Sequence, residues 1–285
     1  MANEAARFDG DWLALREPAD HAARSARLAD QLAEWLQDSD GLRVIDLGAG
    51  AGSNLRWLAP RLAADQDWLL IDHDDTLLAI ARQGPVVENA AGLAVRISTH
   101  CVDLAGLPRE LFDDADLITA TAMFDLVSVD WIEGLARRIA GCGVAGLFAL
   151  TVDGRRWFVD EDGRRLEDKC DARLAELFNR HQRRGKGMGE ALGPAAADIL
   201  PAKLEKAGLR VWTDRADWRL AAGLEPTLTL GTALLEDWLR AAVEQSPADA
   251  AWIKAWYRTR RAELESGRIG LVVGHVDVLA LPQAQ

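Results

Sequence analysis

Short, nearly unbroken apolar runs recur along the first half of the chain, and between them the apolar residues fall at helical spacing. Residues 43–47, 68–71, 95–101, 117–120 and 144–152 read as buried strands, because a strand covered on both faces has no polar side to alternate with. Leu55, Leu58 and Leu62 follow the first run, and Leu77, Leu78 and Ala81 follow the second with Asp74, Asp75 or Thr76 as the cap. A helix is also expected ahead of the first strand, with Ala22, Ala26, Ala29, Leu32, Ala33 and Leu36 on one face and Pro18 near its start. Strands alternating with helices predict an α/β fold, a doubly wound parallel sheet with helices on both faces. Later runs at 209–213, reaching toward 220, and at 269–279 predict two more strands.

Two segments are surplus to such a sheet. Residues 153–193 open as a hairpin, with Trp157, Phe158 and Val159 before an Asp162-Gly163 turn, and continue as a helix carrying Leu166, Cys170, Leu174, Leu177 and Phe178. The helix leads into the most basic and glycine-rich stretch of the chain, His181 to Gly189. Its Arg183, Arg184 and Lys186 can hold an anionic substrate group or simply offset a helix C-terminal dipole. Residues 223–267 predict two amphipathic helices broken at Ser246-Pro247. There Trp252 and Trp256 share one face, for packing or for substrate stacking, and Tyr257 is the only tyrosine.

The chemistry concentrates where the first strand ends. Asp46 is followed by Gly48, Gly50 and Gly52 at alternate positions and then by a helix. Glycines there let the chain turn sharply and a ligand approach the backbone; a glycine-rich turn with no ligand is the plain alternative. The spacing differs from the G-x-G-x-x-G of dinucleotide enzymes, and a carboxylate two residues earlier repels a pyrophosphate but suits an ammonium or sulfonium. The second strand ends in Asp72, about 20 residues on, where nucleotide folds place a ribose acceptor. The third ends in Asp103-Leu104.

The D-L-G-x-G-x-G run resembles motif I of the class I S-adenosylmethionine (SAM) dependent methyltransferases. The resemblance extends by motif over residues 41–152 and beyond that by topology alone. It implies a Rossmann-like, seven-stranded methyltransferase sheet closed by an antiparallel final strand, with helical cap insertions. It also implies a division into an N-terminal lid (1–40), a SAM-binding core (41–152), a substrate-loop insertion (153–193) and the rest of the core (194–285) with a helical insertion at 223–267. Cofactor contacts are implied for Asp46, Gly48, Ala49, Gly50, Asn54, Asp72, His73, Asp103, Leu104, Ala120 and Thr121. Asp125 falls where relatives carry a catalytic or substrate-orienting side chain, though a helix cap before Asp130 explains it as well. Asp125 and His181 are the candidate bases. Arg16, Arg183, Arg184, Lys186 and Tyr257 are the substrate-side candidates, and Arg16 or Arg24 is placed either to pair with the donor's carboxylate or, equally, to form a helix-surface ion pair.

Composition narrows the partners. A chain of 285 residues with 49% hydrophobic content can bury a full core, and no run approaches the roughly 18 apolar residues of a membrane span. A net charge of −12 works against a nucleic-acid surface. Three scattered cysteines imply neither disulfides nor zinc and fit a cytoplasmic setting, no signal peptide is evident, and no metal-ligand spacing stands out. The expectation is SAM-dependent methylation of a small molecule at an O, N or C atom, with the oligomeric state open. A non-catalytic SAM-binding or partner-binding protein and a nicotinamide-dependent oxidoreductase are the alternatives.

Overall fold

The computed structural model describes residues 10–183 and 190–283. Two helices, α1 (Gly10–Ala23) and α2 (Ala26–Trp35), precede the sheet. Strands β1 (Gly41–Leu47), β2 (Asp65–Asp72), β3 (Arg96–Cys101) and β4 (Leu117–Thr121) alternate with helices α3 (Ser53–Leu58), α4 (Asp75–Gln83) and α5 (Val129–Cys142). The chain continues through β5 (Ala145–Val159), α6 (Lys169–Gln182), α7 (Ala196–Lys206), β6 (Arg210–Arg215) and β7 (Trp218–Leu220). It ends with α8 (Glu225–Gln245), α9 (Ala250–Glu265) and β8 (Gly270–Leu281).

The strands form one sheet in the order β3-β2-β1-β4-β5-β8-β6, with β7 also pairing β8. The first five strands are parallel, and β8 inserts antiparallel between β5 and β6. The fold is therefore the doubly wound α/β sheet that the alternation predicts, including its antiparallel closing strand. One strand more than seven is present because the run expected to reach toward residue 220 breaks in two. Asp217 turns inward at the break, where its carboxylate accepts from Arg155 Nη2 (3.0 Å) and the His275 backbone N–H (3.4 Å).

Two apolar clusters cover the faces of the sheet. One contains Phe112, Phe124, Ile132 and Phe148; the other contains Leu28, Leu32, Trp57 and Trp68. Two elements depart from the sequence reading. Pro18 lies inside α1 rather than at its start, which is tolerated because the carbonyl it leaves unbonded, that of Ala14, is on an exposed turn. A break then separates α1 from α2, with the Ser25 hydroxyl capping α2 at Leu28 N–H (3.2 Å). Strand β5 does not stop near residue 152. It passes two register irregularities and stays paired with β8 as far as Val159↔Gly270.

That extension unites segments far apart in sequence. The hairpin turn at Asp160 to Arg164 forms as expected, with Leu166 N–H returning to the Phe158 carbonyl at 2.9 Å. Phe158 then packs edge-on to Trp238 of α8 and against Trp256 of α9, while Phe178 of α6 also packs on Trp238. With Trp12 and Leu15 of α1 these residues make a third apolar cluster above the sheet. Both surplus segments and the N-terminal helix thus belong to one cap. Trp256 is a packing residue, 7% exposed, and its indole N–H donates to Asp171 Oδ1 at 2.7 Å.

The cap is clamped by Arg260, which reaches from α9 to Asp171 (2.7 and 2.9 Å), Asp168 (2.8 Å) and Glu263 (2.7 Å). Removing a buried guanidinium strands the carboxylates it serves. Arg260→Met is expected to lower unfolding stability by about 3 kcal/mol in urea titration. An unchanged midpoint would mean that the cap is held by its apolar contacts alone.

Candidate active site

The carboxyl ends of β1 and β4 meet at the point where strand order reverses, the place where open α/β sheets bind ligands. Here β1 gives way to the glycine turn. Gly50 (φ +50°) and Gly52 (φ +80°) are left-handed, and a Cβ on Gly52 would lie 3.1 Å from Ala81 Cβ, so the tight turn requires glycine twice over. Asp72, at the end of β2, accepts from Gly50 N–H at 2.8 Å and from Asp74 N–H at 3.0 Å, fixing the turn against the second strand. His73 Nδ1 lies 3.2 Å from the same carboxylate. Ala49 N–H bonds the Ile71 carbonyl at 2.9 Å.

Behind the turn, Asp46 is 1% exposed. Its Oδ1 accepts from Asn54 Nδ2 (2.7 Å) and Thr119 Oγ1 (2.7 Å), while Oδ2 has no hydrogen-bond partner. Burial pushes its pKa up to about 6, against those two hydrogen bonds and the charge of Arg24. Arg24 donates to Asn54 Oδ1 at 2.6 Å and stacks on Trp57 at 3.9 Å; burial draws its pKa down to about 10. A negative group with a free buried lone pair, at a backbone cradle, suits a ligand with positive charge.

Helix α1 lies over this turn. A Cβ on Gly50 would stand 3.3 Å from Leu13 Cδ1. The helix is tied down by Glu17 to Arg56 Nε (2.7 Å), by His21 Nε2 to Ser53 Oγ (3.0 Å) and by Asp20 to the Trp218 indole N–H (3.0 Å).

Between the cap and the β4 and β8 ends lies a cavity of about 600 Å³. Asp125 and His181, the two candidate bases, both line it. Asp125 sits on a short turn held by Phe124, which is fully buried and packs edge-on to Phe148 at 5.0 Å. The preceding residue but two, Ala122, also lines the cavity and has φ +53°, a conformation that costs a non-glycine residue about 1 kcal/mol or more and that clusters at functional sites. His181 Nε2 stands 3.2 Å from Glu244 Oε2.

No protein-family model and no curated protein matches the chain. Among solved structures it is similar to a SAM-dependent methyltransferase from Geobacter sulfurreducens in complex with S-adenosyl-L-homocysteine, at 18% identity over 96% of this chain and 99% of that one, with a TM-score of 0.46. A SAM-dependent methyltransferase from Thiobacillus denitrificans, also with S-adenosyl-L-homocysteine, matches at 17% identity over 97% and 100%, TM-score 0.45. The cyclopropane synthase MmaA2 from Mycobacterium tuberculosis matches at 12% identity over 96% and 94%, TM-score 0.46. At such distances the likeness is one of chain path, and the chemistry has to come from the side chains present.

Several of those side chains lie where the sequence reading did not expect them. Asn54 is 4% exposed and bonds Arg24, Asp46 and Thr119, so it braces the turn from behind. Leu104 packs in the core beside Phe112, and its carbonyl accepts from the Trp131 indole at 3.2 Å. Ala120 is fully buried within β4, while Thr121 keeps a buried hydroxyl without a partner. Asp103 is exposed and caps Ala105 N–H at 2.9 Å. Arg16 lines the cavity but gives Nε and Nη2 to Asp20 (2.9 and 3.1 Å), a cap-side ion pair. Tyr257 does not itself line the cavity: its hydroxyl accepts from Arg261 Nη1 (2.6 Å) and donates to Glu236 (3.4 Å), a lining residue that it reaches from behind. Arg183 is exposed at the end of α6 and does not line the cavity; Arg184 and Lys186 lie outside the described residues.

Residues the sequence did not single out take their place. Arg156, Trp218, Trp238 and His275 all line the cavity. A cationic residue inside the aromatic run Trp157-Phe158 was the available signal for Arg156; nothing local marks the others. His275 is 2% exposed and its Nδ1 has no partner. Burial, reinforced by the charge of Arg16, pulls its pKa down to about 3, so the ring is a neutral hydrogen-bonding group. The unfolded chain takes up a proton near pH 6.5 that the native ring refuses, so stability is lost as pH falls from 6.5 toward 3. The stability difference between wild type and His275→Gln is expected to change by up to about 4 kcal/mol over that window, measured by urea unfolding at stepped pH. A pH-independent difference would show that the ring protonates in place.

Proposed function

We propose that the protein is a SAM-dependent methyltransferase acting on a small molecule bound in the cavity under the cap. One observation carries this reading: Thr119, the hydrogen-bond partner of buried Asp46, and Ala122, in the cavity wall, are three residues apart at the end of β4. A cradle suited to a cationic nucleotide-like ligand and a walled acceptor space therefore share one strand end. The three cysteines are free and exposed, which fits a reducing, cytoplasmic setting.

When bound, SAM supplies a methyl group already activated by its sulfonium. The chain's own part is binding, alignment and proton handling. The glycine turn gives room for the methionine end against its backbone, and Asp46 sets a negative field beside it. Asp72 would accept from the ribose hydroxyls, and His73, Asp103 and Leu104 are the residues that would hold the adenine. The cap walls position the acceptor and keep water out, and alignment of this kind supplies much of the rate gain in a displacement. Asp125 takes the proton if the acceptor is a hydroxyl or a carbon acid, and His181 is the second candidate on the same wall.

Calorimetry with S-adenosylhomocysteine tests the cofactor half. Gly50→Val is expected to abolish binding by filling the cradle, and Asp72→Ala to weaken it by about 1–3 kcal/mol, the cost of leaving hydroxyls without a charged acceptor. Wild-type affinity in a folded Gly50→Val protein would refute the site.

The catalytic half rests on Asp125. Asp125→Asn is expected to keep fold and SAM binding while the methyl-transfer rate falls about 100-fold or more if the carboxylate is the base. Undiminished turnover would leave alignment by the cavity as the whole of the catalysis.

A further inference from the structure

Among the described residues the cavity lining includes the guanidinium groups of Arg16, Arg156 and Arg240, and of these Arg156 has no hydrogen bond to a carboxylate. Arg16 holds Asp20, and Arg240 holds Asp237. Arg156 has a neutral partner instead, Asn179 Oδ1 at 2.8 Å, and its Nε and Nη1 are buried with no hydrogen-bond partner. It is held by aromatic faces, with the guanidinium carbon 4.1 Å from the Phe178 ring centre and 5.2 Å from that of Trp238. Such contacts fix the group without neutralising it. Burial lowers its pKa to about 9, against the charges of Asp237 and Asp153, which still leaves it charged at neutral pH and desolvated without an ion pair of its own.

We infer that Arg156 is the anchor for a carboxylate on the acceptor, whose apolar body lies along the tryptophan and phenylalanine walls of the cavity. The word acceptor rests on the methyl-transfer reading; the anion site does not. A planar guanidinium with unused N–H groups forms short charge-assisted bonds to a carboxylate, and the anion supplies the acceptors that Arg156 Nε and Nη1 lack. A monoanion fits better than a phosphate dianion, because Asp125, Glu236 and Asp237 line the same space. Trp12, Phe178, Trp218 and Trp238 offer flat apolar surface to the rest of the molecule.

The full chain is titrated with 2-naphthoate, 2-naphthamide and 2-naphthyl phosphate by ligand-observed NMR, with S-adenosylhomocysteine calorimetry on each protein in parallel. Naphthoate is expected to bind the wild type, to lose at least tenfold in affinity in Arg156→Gln, and to keep most of it in Arg156→Lys, which retains the charge. Naphthamide, equal in shape, is expected to bind at least tenfold more weakly than naphthoate. Equal binding of acid and amide, unchanged naphthoate affinity in Arg156→Gln, or no naphthoate binding at all would overturn the assignment. Tighter binding of the naphthyl phosphate would overturn it in favour of a phosphate. Arg156-dependent naphthoate binding in a protein that ignores S-adenosylhomocysteine would uphold the anion site and remove the methyl-transfer reading.

Discussion

Arg24 is buried where three parts of the chain converge, and the geometry of the site depends on what surrounds it. It donates to Asn54 at the start of α3, and the carboxylates of Asp277, Asp46 and Asp20 all act on its charge. Asn54 passes the constraint to Asp46 and Thr119, so β1, β4 and the glycine turn are locked together by one polar cluster. Asp277 does the same on the other side, accepting from Ser25 N–H and Leu150 N–H at 2.8 Å each. It thereby pins the break between α1 and α2 to the antiparallel strand. Buried charges are costly when unpaired, so the hydrogen bonds of this network hold its members in place, and Asp46 Oδ2 and Arg24 Nε are the atoms it leaves unsatisfied.

With the turn and α1 fixed in this way, the roof over the turn follows. Helix α1 packs Leu13 toward Gly50 and places Trp12 and Arg16 on the cavity wall, so one helix covers the glycine turn and bounds the cavity. Its ties are a mixture of ion pairs and single hydrogen bonds at half-buried positions, weaker individually than the cluster behind the turn. Ligand entry by motion of α1 would break these while leaving the Arg24 cluster intact.

The cavity itself is built from opposites. Its walls are aromatic, yet it carries carboxylates, guanidinium groups and a histidine kept neutral by burial. Both Arg16 and Arg240 are paired within their own helices, Arg16 with Asp20 in α1 and Arg240 with Asp237 in α8. What remains is a small set of groups with unused hydrogen-bonding capacity: Arg156, His275 Nδ1 and Gln182 Oε1. Such groups are where a ligand gains specificity, because each one it satisfies was costing free energy before it arrived.

The parallel core was legible in the residues. The apolar runs placed β1, β2, β4 and the closing strand to within a few positions, the glycine spacing marked the turn, and Asp74 caps α4 at Thr76 N–H as its position suggested. These features are local: a buried strand, a tight turn and a helix cap each impose their residue types over a few neighbours. What sequence could not decide was which side chains meet across long separations. Asn54 and Leu104 lie beside the residues of the motif but face inward, because their orientation is set by contacts with β4 and α5. Arg156 lies beyond the point where the apolar run of β5 ends, and only pairing with β8 carries it under the cap beside Phe178 and Trp238. The glycine turn was thus written in consecutive residues, whereas the cavity under the cap exists only where α1, α6, α8 and β8 come together. Short-range backbone chemistry fixes the first, and burial of a shared aromatic core fixes the second.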